Sequence, residues 1–103
     1  MTAFSGIRII DFSGGIAGPM ATMLLGDLGA EVIKVEPLAG DRMKDHPGYV
    51  CWNRNKQVVT LDLHTFAGLS AARSLLATAD MAVFDWHPGE LERSGLDAVT
   101  VRA

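Results

Sequence analysis

Ile7-Arg8-Ile9-Ile10-Asp11-Phe12 followed by Ser13-Gly14-Gly15-Ile16-Ala17-Gly18-Pro19 is the stretch that decides the fold. The first six residues are mostly β-branched or apolar, the pattern of a short strand buried on both faces of a parallel sheet. The glycines that follow predict a tight turn into a helix. Pro19 suits the first helical position, where a missing N–H costs nothing. Ala21, Leu24, Leu25 and Leu28 then recur at helical spacing and predict one apolar face, with Gly29 as the stop. Val32-Ile33-Lys34-Val35-Glu36 reads as a second strand closed by Pro37. Strand, glycine turn, helix and strand in this order make a right-handed unit with parallel strands.

Downstream, residues 37–56 hold Pro37, Gly40, Asp41, Pro47 and Gly48 without periodicity and read as a long loop, a length that usually carries function. Gln57 to Leu63 alternates as a third strand. Thr65 is placed to cap a helix with Leu69, Ala72, Leu75, Leu76 and Ala79 on its apolar face. Met81-Ala82-Val83-Phe84 reads as a fourth strand, and Asp85-Trp86-His87-Pro88-Gly89 turns into a short helix that ends near Gly95. The fold class is therefore α/β, a Rossmann-like parallel sheet with alternating strands and helices.

Composition narrows the function. The chain has 103 residues, 49% of them hydrophobic and 20% charged, which suits one globular domain and argues against disorder. A net charge of −3 speaks against a nucleic-acid surface. Cys51 is the single cysteine, so no internal disulfide forms, and the start lacks a signal peptide's pattern. No apolar run reaches the roughly 20 residues that span a bilayer. These features predict a soluble, cytoplasmic protein without membrane or nucleic-acid partners.

Three places could carry chemistry. The glycine turn lies where helix N–H groups and the helix dipole favour an anion. In the dinucleotide spacing G-x-G-x-x-G it holds Ser13, Gly15 and Gly18, one glycine short, with Glu36 placed to meet a ribose hydroxyl. The plainer reading is that these glycines only let a strand turn sharply. Arg42, Arg54 and Lys56 could hold phosphate oxygens or could be ordinary surface charge. Trp86 could stack on an adenine or a pantetheine and His87 could donate a hydrogen bond, or Trp86 could be core. His46, His64 and Cys51 have no metal-ligand spacing.

Taken together, Gly6 to Ser13, Ala17-Gly18-Pro19 and Gly26 to Pro37 resemble the opening of the family III CoA-transferases, the group of formyl-CoA and carnitine CoA-transferases and alpha-methylacyl-CoA racemase. Asn53-Arg54-Asn55-Lys56 with Val59 to Leu63 is similar to a second family signature, and Pro88-Gly89 with Leu91-Glu92-Arg93 and Gly95-Leu96 to a third. The resemblance implies that residues 1–103 are the N-terminal CoA-binding region of a larger domain, in a protein that forms an interlocked dimer or continues into further chain. It also implies transfer of CoA through an aspartate that no aspartate here matches, so that this stretch alone is inactive. Ile16 and Ala17 match the turn that meets the cofactor. Leu61 to His64, Asp85 to His87, and Arg93 match further CoA contacts. The sequence departs from the family where lysine is common at His64, asparagine at Asp85 and, in some members, arginine at Pro37. Each departure predicts a weaker hold on a polyanion. The reading from another class is a non-catalytic, degenerate binding or assembly module; a third is a small nicotinamide-dinucleotide domain.

Overall fold

The computed structural model describes residues 3–86, 89, 90, 93 and 96. Four strands, β1 (Arg8–Asp11), β2 (Glu31–Glu36), β3 (Lys56–Thr60) and β4 (Met81–Val83), form one sheet in the order β3-β2-β1-β4. Every pairing is parallel, with Ile10 opposite both Ile33 and Ala82. Helix α1 (Ala17–Asp27) joins β1 to β2, and α3 (Phe66–Ala77) joins β3 to β4. The loop between β2 and β3 carries a short helix, α2 (Tyr49–Trp52), where the aperiodic sequence predicts only a loop.

Alternation along β1 and β2 divides the core into two layers. Ile9 and Val32 point to one face and meet Leu25 of α1. Ile10, Phe12, Ile33 and Val35 point to the other and meet Ala72, Leu69, Leu75 and Leu76 of α3. Helices on both faces explain why the central strands carry apolar residues toward each face. The outer strands are more exposed than their composition suggests: Val58 and Met81 are about half open, because β3 and β4 are sheet edges.

The order of the strands reverses at β1. From β1 the chain builds outward through β2 to β3, then crosses to the far side of β1 to add β4. In open α/β sheets the crevice at such a switch point, beyond the carboxyl ends of the strands, is where ligands bind.

The expected helix limits and faces need correction. Helix α1 begins at Ala17, two residues before Pro19, which sits in the first turn where its missing N–H still costs nothing. Its buried residues are Pro19, Thr22 and Met23, whereas Ala21 and Leu24 face outward. The cause is Thr22, whose hydroxyl donates to buried Asp11 Oδ2 at 2.6 Å. Turning Thr22 inward leaves Ile16, Met20 and Leu24 as an exposed row, 40%, 41% and 55% open. At the other end α1 closes with Gly29 at φ +106, and the N–H groups of Gly29 and Ala30 reach back to Gly26 and Leu25 carbonyls. Strand β3 stops at Thr60 rather than Leu63, because the Asp62 carbonyl accepts from both the N–H and the hydroxyl of Thr65 and turns the chain into α3. Thr65 caps α3 as expected, accepting from Gly68 N–H. The short helix expected to end near Gly95 falls mostly outside the described residues.

Candidate ligand cleft at the carboxyl ends of the strands

Two adjoining hollows open beyond the strand ends. The apolar one, about 320 Å³, lies between Phe12, Val35, Pro37, Leu38, Leu61 to His64 and Trp86, with Glu36 at its edge. Its wall is an aromatic cluster: Phe12 stacks on Phe84 with centroids 4.7 Å apart, and Trp86 meets both rings edge-on. These contacts lock the Trp86 ring by packing. Trp86 nevertheless keeps a half-buried surface toward the hollow, so it is both core and wall.

The polar hollow, about 450 Å³, is lined by Ser13, Gly14, Lys34, Glu36, Asp41, Arg42, Lys44 and Asp85, and shares Phe12 and Trp86 with the first. Beneath it lies a buried ionic network on the α1 side of the sheet. Asp11 accepts from the N–H and the hydroxyl of Ser13, from Thr22 and from Lys56 Nζ at 3.2 Å. Lys34 Nζ donates to the Ser13 carbonyl at 3.0 Å and faces Asp41 Oδ2 at 2.9 Å, an ion pair without an aligned hydrogen bond at that oxygen. The side chains of both pairs are no more than 1% exposed.

This network explains the glycines. Gly15 holds φ +78 under the Arg42 guanidinium, and a Cβ on Gly18 would fall 2.4 Å from the Ser13 side chain. The turn's own donors are taken internally: Gly15 N–H goes to Asp41 Oδ1 and Gly14 N–H to Asp85 Oδ2, both at 3.1 Å. Glu36 accepts from the Tyr49 hydroxyl. Both features that the dinucleotide reading requires are thus engaged within the chain.

Burial raises the Asp41 carboxyl, but the Lys34 ammonium and the N–H groups of Met43 and Gly15 outweigh it and hold the group below its ordinary value of 3.8. A carboxyl depressed in the fold contributes stability above its unfolded value and loses it as pH falls through the folded one. The urea midpoint is therefore expected to fall as pH drops below 3.8, and to fall less in Asp41→Asn. Equal acid sensitivity in the two proteins would contradict the assignment. Lys56 is lowered by burial, with Asp11 restoring part of the shift.

The expected contacts separate into groups. Leu61, His64 and Trp86 meet at the apolar hollow, and Asp85 lies on the polar one. Ile16 and Ala17 are exposed at the start of α1, beside the turn but outside both linings. Arg93 is exposed, and His87 lies outside the described residues. Arg54 and Lys56 join neither hollow. They enter at the amino end of β3, and Asn55 between them takes φ +62, which sends the two side chains apart. Arg54 reaches Asp27 at 2.6 Å, while Lys56 is buried against Asp11, Pro19 and Asn53. Lys34 and Asp41 join the polar hollow, and Tyr49 holds Glu36 at its edge, although none of the three stood out as a candidate in the sequence. The available signal was a lysine in the middle of an apolar strand, which needs a buried anion to satisfy it.

Among the described residues no helix is long and apolar enough to cross a membrane. The sequence profile of CoA-transferase family III matches residues 4–103. The CoA-transferase/lyase DddD of Marinomonas sp. (strain MWYL1) is 41% identical over 97 residues, covering 94% of this chain and 12% of that protein. Human succinyl-CoA:glutarate CoA-transferase is 40% identical over 101 residues, covering 88% of this chain and 23% of that protein. Among solved structures, Rv3272 of Mycobacterium tuberculosis superposes with a TM-score of 0.93 at 37% identity, covering 99% of this chain and 29% of that one. A CAIB/BAIF family protein from Brucella suis gives 0.89 at 31% identity, covering 98% and 30%. The chain thus spans less than a third of the length of each.

Proposed function

Because the chain belongs to CoA-transferase family III, we propose that it supplies the part of such an enzyme that binds CoA, in the cleft at the carboxyl ends of β1, β2 and β3. The observation that carries this reading is the apolar hollow between Trp86, Phe12 and the Leu61–His64 segment. A rigid aromatic wall beside a polar hollow suits a ligand that is part heterocycle or thioalkyl arm and part polyanion. In the longer family chain this stretch holds an acyl-CoA while CoA passes between carboxylic acids.

The group transfer itself is assigned to residues outside this stretch. A carboxylate that forms an acyl intermediate must be free to attack. Asp11 and Asp41 are buried and ion-paired and Asp27 is held by Arg54, so these three are not free. That the other aspartates do not serve either is what the resemblance to the longer family chains implies. The exposed row of Ile16, Met20 and Leu24 supports a covering partner, either a second copy or further chain of the same protein.

Binding is expected to be weak, in the high micromolar range, and to favour CoA over dephospho-CoA and both over NAD. With Lys56 buried and Arg54 paired, exposed Arg93 is the residue proposed for the CoA 3′-phosphate. A well-formed charge-assisted contact contributes about 1.5–3 kcal/mol, so Arg93→Ala is expected to weaken CoA binding about tenfold or more. Calorimetry on one preparation checks the order. Equal affinity for CoA and dephospho-CoA would remove the phosphate contact, and tighter NAD binding would overturn the reading.

A further inference from the structure

The two carboxylates that close the glycine turn are held very differently. Asp41, on Gly15 N–H, is buried and faces Lys34 at 2.9 Å. Asp85, on Gly14 N–H, has a side chain 30% exposed, and its other neighbour is the open Arg42 guanidinium at 3.7 Å, beyond hydrogen-bond distance. That guanidinium lies over Gly15, where an added Cβ would come within 2.3 Å of its Nη2. Gly14, Arg42 and Asp85 all line the polar hollow. One donor and one cation that suit a diphosphate oxygen therefore converge on a side chain of the wrong sign for it.

We propose that Asp85 is a specificity-determining residue which keeps diphosphate groups off the glycine turn. It takes the Gly14 donor, engages Arg42, and places a like charge where a phosphate oxygen would lie. The proposal rests on the CoA reading of the cleft, because it fixes how strongly that cleft holds the diphosphate of its ligand. Asp41 does not share this role, since moving it would break a buried ion pair.

The test titrates inorganic pyrophosphate into the ¹⁵N-labelled chain and into Asp85→Asn and Asp85→Ser, following the Gly14 and Gly15 amide resonances. Asp85→Ser is the second variant should the amide of asparagine keep the Gly14 bond. Removing one like charge at contact distance near the surface is expected to tighten pyrophosphate binding about tenfold. The Gly14 amide is expected to shift most, with Gly15 nearly still. Equal affinity in all three proteins, or tighter binding in the variants with Gly14 unmoved, would overturn the proposal. CoA is titrated into the same samples. Failure of CoA to bind any of the three would contradict the functional reading alone, because the pyrophosphate comparison is read on Gly14.

Discussion

Replacing Asp11 by alanine is expected to lower the unfolding free energy by about 3–5 kcal/mol, the range for removing one partner of a buried ion pair. Asp11 is fully buried and is the common acceptor for the Ser13 N–H, the Ser13 and Thr22 hydroxyls and the Lys56 ammonium. Without it, Lys56 keeps only the Pro19 carbonyl and Asn53 as hydrogen-bond partners, and Asp41 is left as a counter-charge it does not contact. Small domains have about 5–15 kcal/mol in total, so the variant is expected to be close to unfolding. Urea denaturation followed by circular dichroism measures the loss. The double variant Asp11→Leu with Lys56→Met is expected to recover much of it, because it removes the stranded cation together with its lost partner and leaves the Lys34–Asp41 pair intact. A loss below about 1 kcal/mol, the range of exposed pairs, would contradict the buried network.

The second large effect is expected at Gly68. A Cβ there would lie 1.9 Å from the Asp62 carbonyl oxygen and 2.6 Å from its carbon, both backbone atoms that cannot turn aside. That carbonyl also takes the Thr65 N–H and hydroxyl, and Gly68 N–H donates to Thr65, so the start of α3 and residues 61–64 are one interlocked unit. Overpacking typically costs about 1–3 kcal/mol, and a backbone clash belongs at the top of that range. The shift must also move Leu61, Leu63 and His64, which form one wall of the apolar hollow. Gly68→Ala is therefore expected to lose stability and CoA binding together. Full binding in a destabilised variant would separate the Leu61–His64 segment from the site.

The sequence carried the architecture well and the site unevenly, for reasons tied to particular residues. The apolar runs at Ile7–Phe12 and Val32–Glu36, the glycine turn and the Thr65 cap each obey local rules, and the α/β fold and its strand ends follow from them. The rotation of α1 does not, because Thr22 faces inward only where Asp11 waits beneath it. Leu61, His64 and Trp86 came together because each follows a strand's carboxyl end. Arg54 and Lys56, two residues apart in sequence, part company at Asn55 and begin a strand rather than follow one. Asp41 could not be singled out, since its partner Lys34 is reached only through the folded sheet.

A CoA titration of the ¹⁵N-labelled chain, read at every assigned amide and at the Trp86 indole, locates the ligand in the cleft or away from it. CoA is expected to shift Phe12, Leu61 to His64 and the Trp86 indole, all of which line the apolar hollow. Arg54 and Cys51, at the amino end of β3, are expected to stay still. Binding that moves the amino-end residues and leaves Trp86 and His64 unchanged would contradict a CoA site in the cleft.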